Sequence, residues 1–297
     1  SYGKTTVKIF LDHMLSKKFN VISTPEHVNT EIGIAKFILK NNFDNKESFV
    51  VEMGAYIEGE IKLICDMVKP KIGILTAINE QHASLFGNIE KTQKAKYELL
   101  RSLPKDGLAI TNSDNKYCRE FLDELDVKTM TFGMVEEYDP TIFVNDIKET
   151  KDGGIYTVTM KNRPVATVES SLRGSHNVTN VMPAILTAHY LGMTREEIIS
   201  AIQTLPQTIH IFQYGKAQFI DDSYNSNPDG FKAALNYISK FGHNFKRIVI
   251  TRGMLELGEK SDEIHEEIGG EITYSTEELV LIKPDFVEPV KKGSVGK

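Results

Sequence analysis

The chain has 297 residues, of which 40% are hydrophobic and 26% charged, a length for about two globular domains of ordinary size. Its 41 acidic residues outweigh 35 basic ones for a net charge of −6, which argues against a dedicated nucleic-acid binder with its basic face but leaves room for a local positive pocket that takes an anionic substrate. No apolar run approaches the roughly 18–20 residues of a membrane span, and the first residues lack the apolar core of a signal peptide, so a cytoplasmic protein is expected.

The chain opens on "SYGKTT". Gly3, Lys4 and Thr5, with Thr6 behind them, supply the last third of a G-x-x-x-x-G-K-[ST] loop, which cradles phosphates with backbone N–H groups, sets its Lys on the β/γ-phosphates and offers a hydroxyl to Mg²⁺. The first loop glycine and its feeding strand would lie before Ser1. By itself the tripeptide also fits an exposed tail entering a helix. Short β-rich runs then alternate with helical stretches: "FNVI", "SFVVEM", "KIGILTAI", "LAIT" and "KTMTF" as strands, with "TEIGIAKFILK", "GEIKLICDMV", "NIEKTQKAKYELLRSL" and "NKYCREFLDEL" as helices between them. This alternation predicts an α/β fold with a mainly parallel sheet.

From Thr141 to Ser171 the pattern becomes alternating apolar and polar, with a turn at Asp152-Gly153-Gly154, and predicts an antiparallel patch at the edge of the first domain. A helical pair follows, "NVTNVMPAILTAHYLG" and "TREEIISAIQTL"; Thr194 with Glu197 three residues on forms a capping-box pattern for the second helix. Around Pro206 the βα alternation restarts with "AQFIDD" as the first strand, then helix "DGFKAALNYISKFG", strand "RIVIT", helix "SDEIHEEIGGEI" and strand "ELVLI". Two domains are therefore expected, 1–205 and 206–297, the second near the low end of domain size. The tail "EPVKKGSVGK" has no apolar pattern, and truncation at both ends is expected. Cys65 and Cys118 fit no metal or redox spacing and are expected in the core or on a helix face.

Ligands of an α/β sheet lie beyond the carboxyl ends of its strands. Glu52 ends a buried apolar strand just before Gly54, where an acid could hold Mg²⁺ opposite the loop hydroxyl or simply cap the next helix. Glu80 and His82 fall in the loop after the third strand, and a lone His is more often a satisfied surface residue than a ligand. Asp221, Asp222, Asn225 and Asn227 in "DDSYNSNP" form a polar cluster that could equally be an Asx-turn helix entry.

Taken together, "SYGKTT", "TPEHVNTEIG", "EMGAYIEGEI", "INEQHASLFGNIEKTQKAKYELL", "GSHNVTNV", "DDSYNSNP" and "GMLELGEKSDEIHEEIG" stand in the order found in the Mur ligases, and the chain resembles that family over nearly its whole length. "DDSYNSNP" and "TPEHVNTEIG" are most similar to the dipeptide-adding type. The resemblance implies a P-loop NTPase-like central domain followed by part of a Rossmann-like C-terminal domain. It also implies ATP and Mg²⁺ as cofactors, with a UDP-MurNAc-peptide and D-alanyl-D-alanine as small-molecule substrates and no nucleic-acid partner. A monomer is expected. In the implied reaction a substrate carboxylate takes the γ-phosphoryl group as an acyl phosphate and an amine displaces phosphate to form an amide, chemistry that rests on cations and positioned donors.

Carried over residue by residue, the resemblance puts Lys4 on the β/γ-phosphates with Gly3, Thr5 and Thr6 around it, and makes Thr5, Glu52 and His82 metal ligands. Lys96 matches the lysine that the family carries as a carbamate, an anion able to serve a cation; without the family it reads as a solvated helix lysine beside Lys91 and Lys94. Asn177 and Asn180 match adenine-side contacts, and Asp222 an acid that meets the nucleotide. Thr24 and Asn29 are candidate contacts to the UDP-sugar peptide, and Tyr224, Asn225 and Asn227 to the dipeptide. Three positions depart from the family pattern: His210 stands where an Arg reaches ATP phosphates, a substitution that loses the bidentate guanidinium contact; Arg252 precedes Gly253; and His27 replaces an Asn. They suggest a divergent member. Rival readings are a related ligase with another acceptor, a non-catalytic nucleotide-binding module, or a simple P-loop NTPase.

Overall fold

The computed structural model describes residues 3–26, 28–55, 57–78, 88–150, 153–161, 163–170, 172, 175–206, 210–222, 228–239, 241, 244–254, 257 and 260–294, excluding the side chains of 149, 163, 164, 175, 176, 210, 229 and 233. The chain folds as two compact units, one of Ser1–Asn79 with Leu85–Thr208, the other carrying Ile209–Lys297.

In the first unit, helix α1 (Lys4–Leu15) turns Val7, Phe10, Leu11, Met14 and Leu15 to the interior, the i, i+3/i+4 stripe of an amphipathic helix. Strands β1 (Val21–Ser23) and β2 (Ser48–Val50) pair in parallel, Val21 opposite Ser48, with helix α2 (Glu31–Lys40) between them in sequence. Helix α3 (Glu60–Val68) leads to β3 (Ile72–Leu75), and α4 (Ile89–Arg101) to β4 (Leu108–Asn112). Strands β3, β4, β5 (Lys128–Gly133) and β6 (Ile142–Thr150) are parallel neighbours; β7 (Gly153–Met160) and β8 (Arg163–Ser170) continue the same sheet antiparallel.

The predicted antiparallel edge is thus present, with a register shift in β6 between Asn145 and Lys148, where Asp146 takes a positive φ of 52°, the signature of a bulge. Asp152 of the predicted turn lies outside the described residues. Helices α6 (Ser175–Tyr190) and α7 (Arg195–Gln203) pack with α1 over one face of the sheet around Phe10, Phe132, Tyr156, Val181 and Leu186. The other face is closed by α4 through Tyr97 and Leu100 against Leu75, Ala109 and Cys118. Both cysteines are free and buried.

The predicted helix "NKYCREFLDEL" is only one turn, α5 (Lys116–Arg119), followed by a 3-10 turn at Leu122–Glu124. Asn115 caps α5 by accepting from Cys118 N at 3.1 Å and donates to Ile78 O at 2.9 Å, so the segment serves the strand ends instead of building a long helix. The capping box of α7 forms as predicted: Thr194 Oγ1 accepts from Glu197 N at 3.2 Å and Glu197 Oε2 from Thr194 N at 2.7 Å.

Strands β2 and β3 belong to separate sheets. A cavity of about 560 Å³ lies between them, walled by Phe49, Val50, Ile72 and Ile74 and floored by Val7 and Leu11 of α1. Its polar mouth is reached by Lys4, Lys8, Glu52 and Lys96.

The second unit opens with an antiparallel hairpin, β9 (His210–Tyr214) and β10 (Ala217–Asp221). "AQFIDD" is therefore its second strand, not its first; Gly215 at φ 58° closes the turn where a side chain would be strained. Helix α8 (Pro228–Ser239), β11 (Ile248–Thr251), α9 (Ser261–Ser275), β12 (Glu278–Leu281) and α10 (Val287–Gly293) follow. β11 and β12 pair in parallel, and Leu235, Met254, Leu257, Ile268 and Ile272 form the core. Among the described residues no helix is long and apolar enough to cross a membrane.

Candidate functional site

Strand ends assemble the site. Thr24 directly follows β1 and Glu52 stands two residues beyond β2, both at carboxyl ends, while α1 begins at Lys4 behind Gly3. Gly3 adopts φ 81° as the N-cap of α1, a left-handed conformation favouring glycine. A Cβ there would also collide with the Asn180 side chain amide. Gly3 therefore lets the N-terminal turn of α1, with its outward N–H groups and positive dipole end, lie against Asn180 of α6. Asn177, one turn earlier on α6, is buried.

Glu52 is the hub. Its carboxylate is 6% exposed as a residue and accepts from Thr5 Oγ1 at 2.8 Å and from Asn29 Nδ2 at 3.1 Å. The Lys8 ammonium lies 3.6 Å from Glu52 Oε2 and donates to Pro25 O at 3.2 Å. Backbone bonds lock the frame: Glu52 N donates to Thr24 Oγ1 at 3.3 Å, Thr24 N to Val50 O at 3.0 Å, and Gly54 N to Asn29 O at 2.7 Å. Thr24 and Asn29, expected on the UDP-sugar side, are thus engaged with Glu52. A buried carboxylate persists only when its lone pairs are met and a cation is near, and both conditions hold here.

Lys4 is half-buried, and desolvation pulls its ammonium below the ordinary lysine range although attraction to Glu52 opposes this. Lys96 is buried; desolvation first, then repulsion from Lys4, brings it down to about 8. An amine so placed keeps an appreciable neutral fraction near neutral pH. Its position follows from α4, where Thr92, Gln93, Lys96 and Leu100 share the buried face. Asn88 caps that helix by accepting from Lys91 N at 2.9 Å, and Glu98, two residues beyond Lys96, accepts from Gly59 N at 2.6 Å and Lys62 N at 2.9 Å at the start of α3. Thr6 is buried on α1.

The structure therefore brings Gly3, Lys4, Thr5, Glu52, Asn29, Thr24, Lys96, Asn177 and Asn180 into the first unit at or near one set of strand ends. His82, Tyr224, Asn225 and Asn227, and with them Glu80 and His27, lie outside the described residues, as does the side chain of His210. Asp222, in the second unit, stands directly after β10, where desolvation and then the neighbouring Asp221 raise its carboxyl to about 7. Sequence reasoning missed Lys8. Its signal was the α1 stripe itself, in which Lys8 falls one turn after Lys4 on the buried side with Val7 and Leu11.

Hard oxygen donors from Thr5 and Glu52, side by side at the N-terminus of a helix, fit a magnesium ion bound with phosphate oxygens. Among the described residues no group of three His, Cys, Asp or Glu side chains could hold a metal by itself.

The chain is similar to known proteins in both sequence and fold. The sequence profile of the Mur ligase middle domain matches residues 1–188, and that of the Mur ligase glutamate ligase domain residues 207–292. The chain is 28% identical over 295 residues to the UDP-N-acetylmuramoyl-tripeptide–D-alanyl-D-alanine ligase of Bacillus subtilis, covering 98% of this chain and 60% of that protein. The Escherichia coli enzyme of the same name is 26% identical over 276 residues, at 91% and 60% coverage. The MurF ligase of Thermotoga maritima, solved in complex with ADP, superposes with a TM-score of 0.85 at 26% identity, covering 98% of this chain and 66% of that one. The MurF of Acinetobacter baumannii has the same fold, with a TM-score of 0.87 at 24% identity and coverage of 99% and 64%. The chain spans about 60% of the length of these curated relatives. Two consecutive family domains over nearly the whole chain, and the loop–helix–acid geometry that joins Gly3, Thr5 and Glu52, place this chain in the Mur ligase family.

Proposed function

We propose that the chain carries the nucleotide site of an ATP-dependent ligase that joins D-alanyl-D-alanine to a UDP-MurNAc-tripeptide in the cytoplasm, as the names of its relatives suggest. The observation that carries this reading is the 2.8 Å bond between Thr5 Oγ1 and Glu52 Oε2 beside the half-buried Lys4: a hydroxyl, a carboxylate and an ammonium converge at a helix N-terminus.

In this reading the first N–H groups of α1 and the Lys4 ammonium bind the β/γ-phosphates, where low dielectric strengthens each contact. Thr5 and Glu52 would hold Mg²⁺, which when bound would supply charge neutralisation at the phosphoryl oxygens. Thr24 and Asn29 keep the Glu52 carboxylate aimed. Asn180, held against Gly3, and Asn177 face the adenine side. Lys96 serves the site as a carbamate: its amine needs a neutral form to take up CO₂, and a value of about 8 provides it. Roles for His82, His210, Asp222, Tyr224, Asn225 and Asn227 rest on the family resemblance alone.

The test is phosphate release with Mg²⁺-ATP, UDP-MurNAc-tripeptide and D-alanyl-D-alanine, each omitted in turn. The expected result is release that requires acceptor and dipeptide together and falls about 10²–10³-fold in Lys4→Met, the scale for losing one preorganised charge donor. Release indifferent to the amine would select a simple NTPase instead.

A further inference from the structure

The buried Glu52 carboxylate, described above, is attracted to the Lys4 ammonium and paired with that of Lys8, and all three residues line one cavity. The Lys8 ammonium lies 3.6 Å from Glu52 Oε2, with the two side chains 6% and 5% exposed. It also lines a second cavity, of about 490 Å³, with Asp12, His13, Thr24, Pro25 and Glu26. It thus stands at the partition between that cavity and the nucleotide side, tied to Pro25 O on one flank and to Glu52 on the other.

We propose that Lys8 acts as a built-in placeholder cation on Glu52, so that the site rejects a bare divalent ion and accepts one only as a metal–nucleotide complex. This rests on the nucleotide-site reading given above. The physical argument is electrostatic. A divalent ion approaching Glu52 without nucleotide meets a carboxylate already neutralised by Lys8 and repulsion from the Lys4 ammonium, both strengthened by low dielectric. A triphosphate brings several negative charges, reverses the sign of the local field, and lets Thr5 and Glu52 turn to the metal it carries. Lys8 is therefore a positioning residue, acting through Glu52. The benefit is order of binding: the metal arrives already on its nucleotide.

Manganese is the probe, titrated into the full 297-residue chain without nucleotide, with free Mn²⁺ followed by electron paramagnetic resonance. The wild-type chain is expected to show no Glu52-dependent Mn²⁺ site, its titration matching that of Glu52→Gln. Lys8→Met, which keeps the length and removes the charge, is expected to gain one Mn²⁺ at least about tenfold more tightly than wild type. Adding Glu52→Gln to it should abolish the gain, and Lys8→Arg should behave as wild type. No gain in Lys8→Met with native circular dichroism, or a gain that survives Glu52→Gln, overturns the proposal. If Lys8→Met does not fold, Lys8→Gln replaces it, and nucleotide-free wild type that binds Mn²⁺ in a Glu52-dependent way overturns the proposal without any Lys8 variant. Binding of a fluorescent ATP analogue to wild type is measured in parallel. Its absence would sink the nucleotide-site reading, while the Mn²⁺ series still decides what Lys8 does to Glu52.

Discussion

Strands β4 and β11 read almost alike in sequence, "LAITN" against "IVIT", yet they live in different surroundings. In β4 Leu108, Ala109 and Ile110 are all fully buried, because α1 and α6 cover one face of the sheet and α4 the other. In β11 Ile248 and Ile250 are 42% and 60% exposed, while Val249 packs on the core of the second unit. An apolar run says that a strand can be buried on two faces; the number of layers present decides whether it is. The contrast extends to charge. In the first unit, burial holds Lys4 and Lys96 below their ordinary values against a fully satisfied carboxylate, whereas among the described residues of the second unit the ion pairs are largely at the surface, such as Lys292 with Glu266 at 2.6 Å.

The strongest way to break this comparison is to delete side chains at the paired positions. Ile110→Ala should cost about 2–5 kcal/mol, the range for a buried isoleucine, and Ile250→Ala less than about 1 kcal/mol, as for an exposed position. Hydrogen exchange of peptides from each unit reads the two separately, since a two-unit chain need not unfold in one step. Equal losses would show that the exposed face of β11 is covered in solution.

A second contrast concerns pH. His265 is buried, stacked on Phe286 at 4.0 Å, and accepts from Met254 N through Nε2 at 2.9 Å while Nδ1 sits 2.7 Å from Ser261 O. The network assigns the proton to Nδ1, and desolvation lowers the histidine below its ordinary 6.5. With a depressed value in the folded state, the stabilisation is complete above the unfolded pKa of about 6.5 and is lost as pH falls through the folded value. Exchange protection of α9 should therefore decline below about pH 6.5, and His265→Gln should flatten that decline at the expense of stability at pH 8. The smallest expected effect is at the α7 cap. Thr194→Ala should destabilise the first unit by about 1 kcal/mol, visible as faster exchange in the first turn of α7 and nowhere in the second unit.

Much of the architecture was legible because its signals are local. The apolar spacing of α2, α4 and α9, the alternation of β6 to β8 and the Thr194–Glu197 box all lie within one or two turns or strands of chain. The hairpin β9–β10 escaped because "QTIHIFQYGKAQF" has no Asn-Gly or Asp-Gly turn, and its pairing depends on a partner strand that local pattern does not reveal. "NKYCREFLDEL" has a helical stripe, but Asn115 and Arg119 spend their hydrogen bonds on Ile78 O and Ser113 O, which ends the helix after one turn.

For the site, the sequence by itself determined the residue types and their order: Gly3-Lys4-Thr5 before a helix, Glu52 after an apolar strand, Lys96 on a helix beside Lys91 and Lys94. Only the tertiary structure decided that Thr5, Asn29 and Lys8 converge on one carboxylate, that Gly3 lies against Asn180, and that Lys96 is desolvated beside Lys4. The reason is physical. Residue identity sets what a group can donate, accept or carry, whereas distance and dielectric, which set what it does, arise when strand ends far apart in the chain are brought together out of water.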